Sequence, residues 1–278
     1  MARKSKVNRK LVIVVGGFSA AAVLLLGAVL AVNQFWLKNA ARNIKAGDEL
    51  MAQGQYRQAF GMYGRAASKE PAVLSHVEKM EQALLKVVPT SAQQAADDYR
   101  TFVGLKRGRV RAQPGDPAQW RMLFDVLEEE ADLYPNFDGW LQVEGVARDR
   151  LEVAAPGSDA AKVGEEEFVY ARAQRESLLS AGERTDLERR CETFLASNPK
   201  AWRAWLALIE LRIEDVVRLR STGQEQAASR RQEQLDKAIA DMKAALGGVA
   251  DDPQVKLALA EAAFDRMVLD VREGRRVM

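Results

Sequence analysis

The stretch GDELMAQGQYRQAFGMYGRAASKEP, residues 47–71, decides how the rest of the chain is read. Gly54 interrupts an otherwise helical run, as a residue free to take positive φ does at a tight turn. One helix is therefore predicted from about Ala40 to Gln53 and a second from near Tyr56 to just before Pro71. Ala59, Tyr63 and Ala66 fall at i, i+4 and i+7, one face of the second helix. Small residues at Gly47 and Ala59 would let the two helices run antiparallel at close range.

The surroundings extend this pattern. Leu, Ala, Glu, Arg and Gln dominate from Ala40 onward, Gly and Pro are sparse, and alternating strand-like runs are rare, so an all-helical body is expected. The spacing of Gly47, Gly54, Tyr56, Ala59, Tyr63, Ala66 and Pro71 resembles the 34-residue tetratricopeptide repeat. That repeat carries a small residue in its first helix, a Gly-x-Tyr turn, an Ala and an aromatic in its second helix, and a closing Pro. The chain departs from the pattern at the first-helix aromatic position, which is Asn43.

Further copies are more worn. PGDPAQWRMLFDV (114–126) and LASNPKAWRAWLAL (195–208) each read as a helix start, with Asp116 or Asn198 as cap and Pro117 or Pro199 at the first helical position. Trp205 lies six residues after Pro199, where the repeat family places its first-helix aromatic. Leu187, Cys191, Phe194 and Leu195 form one apolar face, and Ala238, Met242 and Ala245 copy the Ala-aromatic-Ala spacing. Five helical pairs are predicted, at 40–69, 71–105, 117–153, 165–197 and 200–247, with an unpaired helix at 254–273. Two loops are expected between them: basic GLKRGRVRAQPGDP (104–117) and small, polar VAAPGSDAAKVGEEE (153–167).

The N-terminus differs in kind. MARKSKVNRK carries five cations and no acid, and Leu11–Val32 follows without a charge. As a helix those residues would extend roughly 33 Å, enough for a hydrocarbon core of about 30 Å. Phe35 and Trp36 stand where an interfacial belt would lie. Val29-Leu30-Ala31 would suit a signal peptidase, but the apolar run is longer than a signal peptide uses. The domains expected are a cytoplasmic basic tail (1–10), a transmembrane helix (11–36) and a repeat body (37–278) on the translocated, periplasmic or extracytoplasmic side. The clearest repeat is 40–73 and degenerate ones fill 74–273. Setting the five tail cations aside from the chain's 41 leaves 36 against 39 acids, so no nucleic-acid partner is expected.

Catalytic chemistry finds few candidates. There is one His (His76) and one Cys (Cys191), and no phosphate loop, dinucleotide fingerprint, zinc motif or nucleophile elbow. His76 is expected to be structural or exposed, and Cys191 to sit in the core as a small hydrophobe. Glu128-Glu129-Glu130 and Glu165-Glu166-Glu167 read as solvated helix faces or starts, because consecutive residues point around a helix. No catalytic residue, metal site or cofactor is expected, and the chain is not expected to be an enzyme.

The resemblance implies an all-α fold: an N-terminal transmembrane helix, then an α-solenoid of antiparallel helix pairs that binds proteins or peptides on a concave wall. Carried onto this sequence, the wall positions are Ile44 and Asp48, then Ser75, Glu78 and Gln82, then Arg172 and Glu176, then Arg203 and Glu210. Gly47, Gly54, Tyr56, Ala59, Tyr63, Ala66 and Pro71 are packing and turn residues. Chaperone-binding members of the family hold a C-terminal carboxylate with Lys and Asn where this chain has Ile44 and Asp48, and Asp48 would repel it. The expected role is a membrane-anchored scaffold, an assembly factor of an envelope complex, with protein partners. The alternatives are an accessory repeat region of a larger enzyme or a secreted soluble solenoid.

Overall fold

A computed structural model describes residues 39–134, 137–247 and 252–272. The basic tail 1–10 and the transmembrane helix 11–36 lie outside them. Among the described residues there are eleven α-helices, a short 3-10 turn and no strand, and no helix is long and apolar enough to cross a membrane. The chain divides into two compact units, residues 1–113 and 114–278.

The first unit contains α1 (Ala40–Ala52), α2 (Tyr56–Ala67), α3 (Leu74–Leu85) and α4 (Ala92–Ala112), each packed on the next. Asn39 caps α1 by accepting from the Arg42 amide at 3.2 Å. Gly54 takes φ of 74° in the α1–α2 turn, a conformation that L side chains rarely adopt. Across that turn Gly47 meets Tyr63, so the two helices run antiparallel. A Cβ at position 47 would lie 2.4 Å from the Tyr63 ring, so the glycine is what admits the ring. Ala59, Tyr63 and Ala66 are buried together as their spacing predicts, and Pro71 sits exposed in the following turn. The Lys86 ammonium lies 5.6 Å from the Tyr56 ring centroid. The Tyr63 hydroxyl donates to Asp48 at 2.7 Å, and Asp48 also accepts from Lys79 of α3 at 2.5 Å. Adjacent residues of α1 thus join three helices.

The expected loop at 104–117 is mostly helix, because α4 continues to Ala112. Leu105 and Val110 are buried, Lys106 donates to Glu81 at 2.6 Å, and Arg109 donates to Glu81 at 2.8 Å and Glu78 at 3.0 Å. These bonds fix α4 antiparallel on α3. Two of the four cations in this stretch, Lys106 and Arg109, are held by carboxylates of the facing helix, while Arg111 donates to the Arg107 carbonyl. Only residues 113–116 link the α4 end to the next helix.

The second unit contains α5 (Pro117–Leu133), α6 (Phe137–Val153), α7 (Asp159–Ala173), α8 (Ala181–Ser197), α9 (Trp202–Ser221), α10 (Glu225–Leu246) and α11 (Pro253–Arg272). A 3-10 turn, Glu176–Leu178, separates α7 from α8. Asp116 caps α5 with Pro117 at its first position, as expected. Asn198 does not cap α9. It ends α8, its side-chain amide donating to the Phe194 carbonyl at 3.1 Å, and α9 starts at Trp202. The true parallel between these segments is set three residues later than the sequence suggested. The Trp120 indole donates to the Pro114 carbonyl at 2.7 Å, and the Trp205 indole donates to the Pro199 carbonyl at 2.9 Å.

Helix α7 starts within the second expected loop, where Ser158 accepts from the Ala161 amide. It packs on α6, α8 and α9. Close approach to α6 is allowed by Gly164, where a Cβ would meet Leu151 at 3.2 Å. Glu165, Glu166 and Glu167, expected to be solvated, are instead structural, whereas Glu129 is exposed as expected. Glu165 pairs with Arg190 of α8, Glu166 accepts from the Arg203 amide at the start of α9, and Glu167 accepts twice from Arg150 of α6 at 2.8 Å. Three consecutive residues do point around the helix, but each finds a neighbouring helix there. Helix α10 returns antiparallel on α9, tied by Arg231 to Asp215 at 2.7 Å and by Arg212 to the Gln234 carbonyl at 2.9 Å. Cys191 is fully buried, and burial pushes its thiol up to about 12, so it packs rather than reacts. In the first unit His76 is also buried, with its ring nitrogen 2.8 Å from the Glu70 carboxylate.

Candidate functional site

Helices α5, α7, α9 and α11 of the second unit bound a cavity of about 490 Å³. Helix α5 supplies Asp125, Glu128, Glu129 and Asp132 at helical spacing, and Leu133 forms part of its edge. Helix α7 contributes Tyr170, α9 contributes Trp202 and Arg203 from its first turn, and α11 contributes Leu257 and Glu261. The wall is therefore acidic and aromatic, with apolar residues at its edge.

Arg203 organises this wall from within. It is 3% exposed, and its guanidinium donates to Glu128 at 2.6 and 3.2 Å. The same group lies 4.4 Å from the Trp202 ring centroid, 5.2 Å from that of Phe124 and 5.9 Å from that of Tyr170. Asp125 pairs with Arg121 at 2.7 Å. Among the described residues, no cation forms a salt bridge with Glu129, Asp132 or Glu261, although Arg203 opposes the upward shift of Asp132 from a greater distance. Burial and the neighbouring Glu128 hold the Asp132 carboxyl above the usual range. Burial, followed by Asp265, Asp132 and Glu128, pushes Glu261 up to about 7. Tyr170 is 6% exposed, and its hydroxyl has no hydrogen-bond partner among the described residues.

The residues expected on a concave wall are distributed differently. In the first unit Asp48 is engaged by Tyr63 and Lys79, Glu78 by Arg109, and Gln82 is exposed. In the second unit Arg172 bridges Glu144 at 3.0 Å and Glu183 at 3.1 Å. Arg203 is almost fully buried in the cavity wall, with its charge engaged by Glu128. Glu176 and Glu210 are brought to the same acidic neighbourhood. Burial, then Glu214, raises the Glu176 carboxyl. Glu210 accepts from Gln174 at 2.7 Å, and burial, then Asp265, Glu176, Glu261 and Glu214, pushes it up to about 8. Sequence reasoning missed Tyr170, Asp132 and Glu261. The clustering of acids on α5 was visible in the sequence, but nothing in it indicated that α7 and α11 close over them.

The Glu210 environment has a measurable consequence. An isolated Glu titrates near 4.5, so between about pH 4.5 and 8 the folded unit binds more protons here than the unfolded chain does. The contribution of this group to stability then falls as pH rises through that window. Glu210→Gln cannot ionise. It is expected to flatten the fall and to exceed the wild type at about pH 8.5 by on the order of 2 kcal/mol. Melting temperatures at about pH 5.5 and 8.5 check this. A variant whose advantage over the wild type does not grow across the interval would contradict it.

No family model and no curated protein matches the chain. It is similar to several solved structures of tetratricopeptide-repeat proteins. One is a thermophilic protein of Thermus thermophilus, 19% identical, covering 81% of this chain and all of that one at a TM-score of 0.37. Another is YrrB, described as having an unusual peptide-binding site, 11% identical over 84% of this chain and 97% of that one at 0.42. A third comes from Parabacteroides merdae, 14% identical over 92% of this chain and 96% of that one at 0.31.

Proposed function

We propose that the chain is a membrane-anchored helical scaffold that holds other proteins, acting as an assembly factor in an envelope complex. The observation that carries the binding role is the surface around α11. Leu257, Phe264 and Met267 are 69%, 58% and 41% exposed. They fall at i, i+7 and i+10, so they share one helix face, and Leu257 also lines the acidic cavity. Large apolar side chains grouped beside charged ones are the mark of a protein-binding surface rather than of a solvated one. Glu78, Gln82, Glu176 and Glu210 are kept as further candidate positions for partner contact.

The anchoring rests on the uncharged run Leu11–Val32 and the five preceding cations. The basic tail would remain cytoplasmic and the body would lie on the translocated side. Tethering confines the body to a thin layer beside the membrane and raises its effective concentration toward partners held there. Pull-down of the full chain from solubilised membranes tests the reading. A discrete set of co-purifying proteins, lost when Leu257 and Phe264 are both changed to Ser, is the expected result. Recovery of the chain alone, or the same set with the doubly changed variant, would argue against it.

A further inference from the structure

We propose that the cavity between α5, α7, α9 and α11 receives a lysine or arginine side chain from a basic segment of a partner protein. The inference rests on the scaffold reading and names the chemistry of its partner.

Charge gives the first reason. Arg203 neutralises Glu128, and Arg121 neutralises Asp125, while Glu129, Asp132 and Glu261 line the same cavity without a salt bridge among the described residues, Asp132 feeling Arg203 only at longer range. Burial is the larger cause of the raised Asp132 and Glu261 carboxyls, and repulsion adds to it, from Glu128 on Asp132 and from Asp265, Asp132 and Glu128 on Glu261. A cation placed among them removes that repulsion.

The second reason is independent of the acids. Tyr170 is only 6% exposed and lines the cavity, and its hydroxyl, which has no partner among the described residues, is not one of the fully buried unpaired atoms and so is reachable from the cavity. Burial first, then Glu128, Glu261, Asp132 and Glu210 from α5, α9 and α11, holds this phenol far above its usual range. Its oxygen can accept from an incoming N–H while its own proton turns to a carboxylate.

Arg203 demonstrates the fit of such a group. Its guanidinium already lies over the Trp202 and Tyr170 rings while paired to a carboxylate, which is the combination an incoming cation would meet. A metal ion is disfavoured by geometry, because no three metal-ligating side chains among the described residues are placed to hold one. The edge favours a polypeptide over a free small cation. Leu133 and Leu257 are 66% and 69% exposed and both line the cavity, so residues flanking the cation would have apolar surface to cover.

Fluorescence anisotropy of the full chain with a labelled peptide bearing three arginines spaced by Gly-Ser tests the proposal. Tyr170→Phe removes only a hydroxyl that has no partner among the described residues. It should leave the melting temperature unchanged and weaken the peptide about fivefold. D132N/E261Q should weaken it at least about tenfold. D159N/D186N removes two exposed charges elsewhere and should change it less than about twofold. Equal losses in the two charge-removed pairs, no loss in Tyr170→Phe, or no binding to the wild type would overturn the proposal. So would displacement of the peptide by spermidine at equal concentration, which would identify a free polyamine site. A natural partner recovered equally well by D132N/E261Q would overturn this inference and leave the scaffold reading standing.

Discussion

Arg150→Met is expected to destabilise the 114–278 unit by about 3–5 kcal/mol, the usual consequence of leaving one buried charge without its partner. Arg150 is 3% and Glu167 1% exposed, and one guanidinium nitrogen donates to both carboxylate oxygens at 2.8 Å. Water cannot replace the lost partner at that depth, and Arg121, 4.0 Å from Glu167, is too distant to replace its hydrogen bonds. Burial already draws the Glu167 carboxyl upward against the pull of Arg150. Without the arginine, Glu167 would take up a proton rather than stay charged, which limits the loss. Urea unfolding followed by circular dichroism measures the effect. Changing Glu167 to Leu as well should restore most of the stability, because an apolar pair of similar volume needs no desolvation of charge. A loss below about 1 kcal/mol in the single variant would show that the pair does not hold α6 to α7 as described.

The other large effect lies in the opening stretch. Gly47→Ala is expected to cost the first unit about 2–3 kcal/mol, although alanine alone would favour a helix by about 1 kcal/mol over glycine. The added Cβ would lie 2.4, 2.7 and 2.9 Å from three atoms of the Tyr63 ring. The ring cannot swing aside without breaking its hydroxyl bond to Asp48 at 2.7 Å and leaving its place beside Ala59. In a Tyr63→Leu background the ring is gone, and the same Gly47→Ala change should become neutral or stabilising. That reversal of sign, read from thermal unfolding of the four-variant cycle, separates close approach from any other role of the glycine. An equal cost in both backgrounds would refute it.

The same two sites show what a sequence discloses and what it conceals. Gly47, Gly54, Ala59, Tyr63 and Ala66 were legible because a helix hairpin is local. Its turn residue, its apolar face and its small residues all fall within a few turns of one another. Cys191 was legible as a packing group for the same reason, while His76, expected to be structural or exposed, is buried against Glu70. Charges were misread. Glu167 looks solvated until Arg150 is placed 17 residues away, and Glu128 until Arg203 is placed 75 residues away. Helical period identifies the apolar stripe but is silent on which cation closes over an acid. The length of α4 was missed on that account, since Lys106 and Arg109 read as loop cations until Glu81 and Glu78 face them. The cavity was invisible for a further reason. It is bounded by residues from 125 to 261, and no spacing rule relates them.

The central claim is that the α11 surface and the acidic cavity beside it receive a protein partner. Site-specific photocrosslinking in native membranes tests it most directly, with a benzoylphenylalanine placed at Leu257 on the cavity edge or at exposed Arg230 on α10. The account predicts a discrete, saturable protein adduct from position 257 and none from position 230. The same diffuse products from both positions, or no adduct at 257, would contradict it.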